Sequence, residues 1–433
     1  MMEEERVRTG RLARLGSIFT LLLAVVACSS TATHSPAVVT SSAELATQSP
    51  IPTSSPMAAP TPSPIASPRP MAPMTLKTGP KMATARAGQA AVRLDAGRVL
   101  IMGGTVPFVG KCEMACTEPA TASVEIYDPK TGKFSHNGSM AQPRSGGQAL
   151  LLNDGRVLVS GGNGQYGDDL STIEIYDPAH MASVVVKAPA GAQGLPASAT
   201  AVLLADGRVL IAGGSYDHSR WTSNVTLIFD PASGGFSQGP HMAKPRQGAM
   251  ATLLDDGRVL LAGGDDYEDS IGYASNSAEL IDPSRASSTS TLLFSLAWNS
   301  ATKLSNGRVL LTGGGPNQSD ASCRGSSVSE VFDPMTERFT PGGPMITPRS
   351  RSAAILVPDG RVLFFGGVDC DWAAVSTVEA FDPESGTFQV VGTGFPALTG
   401  FSSTLLNDGR ILVAGGDKGD WNGMTAATWL LKP

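Results

Sequence analysis

The sequence predicts an all-β ring of seven four-stranded antiparallel sheets, and three observations carry that prediction. A nine-residue stretch, DGRVLVSGG at Asp154, returns at Asp206, Asp256, Asn306, Asp359 and Asp408, and AGRVLIMGG at Ala96 precedes them all. Seven copies whose glycine pairs begin 49 to 58 residues apart define a structural repeat. Between copies, Asp-Pro turns recur at Asp128, Asp177, Asp230, Asp282, Asp333 and Asp382. The composition agrees, since 49 glycines and 31 prolines beside only 16% charged residues describe a turn-rich β chain.

The second repeat shows the unit. Residues 147–152 read as a strand, and Asp154-Gly155 as a two-residue hairpin turn with positive φ at both positions. Residues 156–160 form a second strand, buried on both faces to judge by Val157, Leu158 and Val159. Gly161-Gly162 marks a close approach by the neighbouring unit's backbone. Residues 173–176 make the third strand, and Asp177-Pro178 opens a turn with φ fixed by proline. A fourth strand is clearest around Phe134, Phe236 and Phe339. Four such strands cannot enclose a core alone, so the units must pack radially as the blades of a propeller.

The diglycine, the Tyr or Phe before Asp-Pro, and the link Met-x-x-Pro-Arg (Met140–Arg144, Met242–Arg246, Met345–Arg349, with Met82–Arg86 as a variant) resemble the kelch family, including the central domain of galactose-oxidase-like proteins. The resemblance runs from about Thr75 onward and implies a seven-bladed propeller; it is nearly silent on function. Only six Asp-Pro turns serve seven diglycines, and one strand at 428–431 follows the last. Residues 75–82 match an outer strand plus link with no blade in front of them, so the N-terminal strand is expected to complete the seventh blade.

Arg6, Arg8, Arg11 and Arg14 precede an apolar run from Leu15 to Ala27, too short to span a bilayer and suited to an export signal. Val25-Val26-Ala27-Cys28 resembles a bacterial lipobox, which implies cleavage before Cys28, its lipidation, and an extracytoplasmic protein anchored by lipid alone. Residues 28–72, rich in Ser, Thr, Pro and Ala, read as a disordered tether, and residues 73–433 as the propeller. A net charge of −6 without a basic face argues against nucleic acid. A monomer is expected.

In such a meander the Asp-Gly and Asp-Pro turns share one uniform face, while the loops after each diglycine form a variable one where function is expected. Those loops hold Tyr216, Trp221, Tyr267, Trp372 and Trp421 beside acids that include Asp371 and Asp420. Aromatic faces next to carboxylates suit sugars, and also cations; the competing reading is that each ring plugs its own loop. Arg349 and Arg351 lie at the axial end of an inner strand, where kelch domains that bind acidic peptides carry arginines. A scaffold role competes for Arg144, Arg246 and Arg349, and for Glu125, Glu174, Glu279, Glu330 and Glu379, which recur three places before the Asp-Pro aspartate.

Four loop cysteines invite disulfides in an exported chain: Cys112 with Cys116, and Cys323 with Cys370. Five histidines, placed mostly away from the axis, argue against a copper site of the galactose-oxidase kind. The run Asp265 to Asp269 could offer oxygens to calcium but lacks the spacing of a calcium loop. No residue pair stands out as catalytic. The sequence therefore supports a binding module for carbohydrate or protein, with a carbohydrate-active enzyme (glycosidase, lyase or mutarotase) using loop carboxylates as the alternative.

Overall fold

A computed structural model describes residues 74–109, 118–165, 167–187, 195–216, 221–268, 271–285, 287–291, 297–315, 326–419 and 423–433. They form seven four-stranded antiparallel blades. The innermost strands are Ala90–Arg93, Gln148–Leu151, Thr200–Leu203, Met250–Leu253, Ala297–Lys303, Ala353–Leu356 and Ser402–Leu405. Each touches the next around the axis, and the seventh touches the first, so the ring is closed. Blades 1 to 6 add their remaining strands outward in chain order. Blade 7 takes its outermost strand from the other end of the chain, with Thr75–Thr78 paired to Thr428–Lys432 through Leu76 opposite Leu431 and Thr78 opposite Trp429.

Every second strand lies between two neighbours and faces two apolar layers, so Val99–Met102, Val157–Ser160 and Ile411–Ala414 are buried along their whole length. The apolar clusters straddle blade junctions: Leu158 of blade 2 packs with Val209 and Phe229 of blade 3, and Phe365 of blade 6 with Ile411 and Leu431 of blade 7. In blades 1, 3, 5 and 6 the aromatic before the Asp-Pro turn covers the outer strand's phenylalanine, with ring centroids 5.1 Å apart for Tyr127 and Phe134 and 4.8 Å for Phe332 and Phe339.

The Asp-Gly turn differs from the expected two-residue form. Gly155 N–H donates to Leu152 O at 3.0 Å and Leu152 N–H to Arg156 O at 2.8 Å, so Asn153-Asp154-Gly155 is a three-residue loop. Only Gly155 has positive φ, at 84°. The i to i+3 bond places Asn153 and Asp154 at the turn centre, leaving glycine alone in the left-handed position.

The link arginines lock blade to blade. Gly104 N–H donates to Arg144 O, Gly214 N–H to Arg246 O and Gly416 N–H to Arg86 O, each at 2.8 Å, so the diglycine of one blade grips the next blade's link. A Cβ on Gly415 would sit 2.5 Å from Arg86 O, and Gly415 has a φ of 66°. Each arginine then turns into its own blade: Arg86 Nη1 donates to Gly103 O at 2.9 Å, and Nη2 to Glu125 Oε1 at 2.8 Å. Arg144 with Glu174, Arg246 with Glu279 and Arg349 with Glu379 repeat the pair, all within 3% of full burial. The glutamates also accept link N–H groups, as Glu279 does from Ala243 at 2.7 Å and Lys244 at 3.1 Å. Blades 3 and 7 lack both partners, with Pro196 and Leu227, and Leu398 and Trp429, at the corresponding positions.

Two outcomes are expected. Deleting residues 75–78 strips the outer strand from blade 7 and uncovers its packing, so thermal denaturation of the truncated chain should show a sharply lower Tm; an unchanged transition would contradict closure by this strand. Arg246→Leu leaves Glu279 charged and buried and should cost about 3–5 kcal/mol in urea denaturation, whereas adding Glu279→Leu should recover part of that loss.

Candidate functional site at the axial mouth

Three columns of the repeat meet at the mouth of the ring on the variable face. The residue after each link position (Ala87, Ser145, Ala197, Gln247, Ala297, Ser350, Thr399) bridges the residue after the diglycine (Thr105, Asn163, Ser215, Asp265, Gly315, Val368, Asp417). The next column is Gly88, Gly146, Ser198, Gly248, Trp298, Arg351 and Gly400. It forms a collar hydrogen-bonded between neighbouring blades: Gly88 N–H donates to Gly400 O at 2.6 Å, Gly146 to Gly88 O at 2.7 Å and Gly248 to Ser198 O at 3.3 Å.

This collar requires left-handed backbone, with φ of 61° to 70° at its four glycines. Arg351 adopts φ 55° in the same column, a conformation that costs a side-chain-bearing residue roughly 1–2 kcal/mol. Its exposed guanidinium carbon lies 5.4 Å from the centroid of Trp372, a ring 49% exposed and itself at φ 62°. A tight turn holds that ring in place. Asp369 Oδ1 accepts the N–H of Asp371 and of Ala373 at 2.9 Å each, and Asp369 N–H donates to Ala373 O at 3.0 Å. Cys370, inside the turn, is disulfide-bonded. Two strained non-glycine residues thus present a cation stacked on an indole, beside exposed Asp371.

Blades 3 and 4 raise a wall on the same face. The loops after their diglycines form two-stranded hairpins, Ser215–Tyr216 with Trp221–Thr222 and Asp265–Glu268 with Ile271–Ala274. Thr222 Oγ1 donates to Asp266 Oδ1 at 2.9 Å, tying one to the other. Trp221, opposite Tyr216 in register, is 50% exposed. At the foot of this wall Asp265 is 5% exposed, and burial alone pushes its carboxyl up to about 6. Across the mouth, burial and then the charge of Asp417 raise the Glu118 carboxyl.

The structure therefore unites Arg351 with Trp372 and places Trp221 on the same face. Arg349 is corrected to the scaffold: it is fully buried, and its Nη2 donates to Glu379 and to Thr377 Oγ1 at 2.9 Å, leaving no surface for a ligand. Trp421, Asp420, Cys28, Cys112, Cys116 and Cys323, and the side chains of Tyr216 and Tyr267, lie outside the described residues. Sequence reasoning missed Gln247, 5% exposed beside Asp265. The aligned column could have exposed it, because the other six members are Ala, Ser or Thr. Two clefts of about 310 and 500 Å³ open on the opposite face. They are lined by turns that repeat from blade to blade, such as Asp359-Gly360 and Asp333-Pro334, and have the character of gaps between scaffold turns.

Asp265 makes the site's pH response predictable. Its carboxyl holds a proton up to about 6 in the folded chain against 3.8 for the ordinary group, so it lowers stability as pH rises through that window and keeps the full penalty above it. Asp265→Asn should raise Tm at neutral pH, by the equivalent of up to about 3 kcal/mol, and the gain should vanish near pH 4. Equal gains at both pH values in scanning calorimetry would contradict this assignment.

No family model matches the chain, and no curated protein matches it. Solved structures do match in fold. A fungal alcohol oxidase of the AA5 family, in complex with copper, is similar at 16% identity with a TM-score of 0.64, over 84% of this chain and 76% of that one. YjhT is similar at 15% identity with a TM-score of 0.53, over 72% of this chain and 99% of that one. Among the described residues His136 lies on an outer strand, His180 in an Asp-Pro turn and His241 in a link, and no three His, Cys, Asp or Glu converge to hold a metal. At these identities the likeness shows the fold, and the seven-bladed ring with these neighbours fits a kelch-type propeller.

Proposed function

We propose that this chain is an exported, lipid-anchored propeller that binds carbohydrate on its variable face. The observation that carries the reading is the Arg351 and Trp372 platform, in which backbone strain at two non-glycine residues holds an indole half-exposed with a guanidinium over it. An apolar ring at a fixed angle suits the C–H face of a sugar, and the cation beside it offers donors to hydroxyl or carboxylate oxygens. Trp221 on the hairpin wall supplies a second stacking surface. The export signal of residues 1–27, the lipidated Cys28 and the tether of 28–72 would display this face outside the cytoplasm, as a monomer.

The second reading, a carbohydrate-active enzyme, draws on Asp265. A buried carboxyl that titrates near 6 is poised to give and take protons close to neutral pH. Glycan-array binding followed by product analysis separates the two. Retention of an intact glycan, weakened about tenfold or more by Trp372→Ala and by Arg351→Ala, supports binding; conversion that Asp265→Asn abolishes supports the enzyme. Specific retention of a peptide or protein, with no glycan bound, would replace carbohydrate by a protein ligand.

A further inference from the structure

The bridge between Gln247 and Asp265 is unlike the other bridges of the ring, where one partner is always Ala, Ser or Thr. Gln247 N–H donates to Asp265 O and Asp265 N–H to Gln247 O, each at 2.9 Å. Residues directly opposed in this way project their side chains to the same face, with Cβ atoms roughly 5 Å apart. Both side chains are buried to within 5%. Gln247 Oε1 has no hydrogen-bond partner among the described residues. Burial alone governs the Asp265 carboxyl, with no neighbouring cation or hydrogen bond lowering it. The adjoining Asp266 is already engaged as the acceptor of Thr222 Oγ1. Two buried acceptors, the Asp265 carboxyl and Gln247 Oε1, therefore share one face of the bridge, and Oε1 has no donor among the described residues.

We propose that Gln247 and Asp265 form a subsite for a primary ammonium group, as carried by an amino sugar. An ammonium brings three donors and a positive charge, so it can satisfy Gln247 Oε1 and the carboxylate together and compensate the buried charge. A neutral hydroxyl donates once and leaves that charge uncompensated. A divalent metal ion would need several oxygen ligands, and no cluster of three acidic, His or Cys side chains exists among the described residues. The mouth's remaining electrostatics favour a cation as well, since burial and then the charge of Asp417 raise the Glu118 carboxyl. The amino-sugar form of the ligand rests on the carbohydrate reading above, while the ammonium subsite itself does not.

The test is titration of the whole chain, followed by NMR, with glucosamine, N-acetylglucosamine, glucose and the non-sugar amine butylamine. Glucosamine should bind about tenfold tighter than N-acetylglucosamine at about pH 6.5, and the preference should disappear near pH 4.5, where Asp265 is protonated. It should also disappear in Asp265→Asn and shrink in Gln247→Leu. Equal affinity for the two sugars, or a preference that survives Asp265→Asn, would overturn the proposal and leave the carbohydrate reading standing. If no sugar binds, the carboxyl ¹³C titration of Asp265 decides separately. A midpoint moved downward by butylamine supports the ammonium subsite while the carbohydrate reading falls, and an unmoved midpoint removes both.

Discussion

The link arginine is the constraint on which the ring depends. Its carbonyl is held by the diglycine of the preceding blade, as Arg144 O is by Gly104 N–H, while its guanidinium crosses into its own blade to Glu174 and Gly161 O. One residue thus fixes the spacing of two sheets and the path of the chain between them. A buried guanidinium and carboxylate of this kind lose most of their hydration, and the loss is offset only when the hydrogen bonds are nearly complete. Here the carboxylate also takes the N–H groups of the link, so charge and chain direction are set together, and the Nε of Arg86, Arg144 and Arg246 is left without a partner among the described residues. Blades 3 and 7 show the complementary rule. In those two blades an apolar pair replaces both partners, as Pro196 with Leu227, whereas blade 5 has Leu296 at the arginine position and keeps a buried glutamate, Glu330.

Much of this was legible in the sequence because the constraints act on one residue at a time. A diglycine is demanded where a Cβ would meet the next blade's backbone, an aromatic where it must cover the outer strand, and Asp-Pro where the chain must turn; these recur seven, five and six times. Even ring closure could be read, since Thr75–Thr78 and Thr428–Lys432 are each incomplete without the other. The site was legible only in part. Trp372 and Arg351 stood out by type, but their meeting depends on two left-handed residues in separate loops, which no local pattern records. Arg349 and Arg351 looked alike two places apart, yet the first belongs to the buried lock and the second to the collar. The hairpins of blades 3 and 4 read as irregular loops, since two to four residues per strand are too few for alternation to show.

The collar is what makes the mouth the place where the repeat can vary. Glycine in four of its seven positions keeps backbone near the axis bare and lets blades 7 and 1, 1 and 2, and 3 and 4 hydrogen-bond to each other there. A ring built this way is nearly symmetric, and a symmetric ring of glycines recognises nothing in particular. Specificity has to come from the positions that break the pattern. Arg351 breaks it in the collar, at a cost in backbone strain that glycine would avoid, and Gln247 with Asp265 breaks it in the bridge, at a cost in buried polar groups.

Both departures are unfavourable for folding alone, and both fall on the variable face. On the opposite face the corresponding positions are filled by one repeated solution, the Asp-Gly turn whose aspartate holds the arginine two residues on, as Asp154 holds Arg156 and Asp408 holds Arg410 at 2.8 Å. Repetition there means that stability is the only requirement being met. A strained cation on an indole and an uncompensated carboxyl beside an unpartnered amide oxygen are stable only because the surrounding lock is strong enough to hold them. The rigidity of the arginine-linked ring is therefore what allows its mouth to carry groups that cost the fold stability.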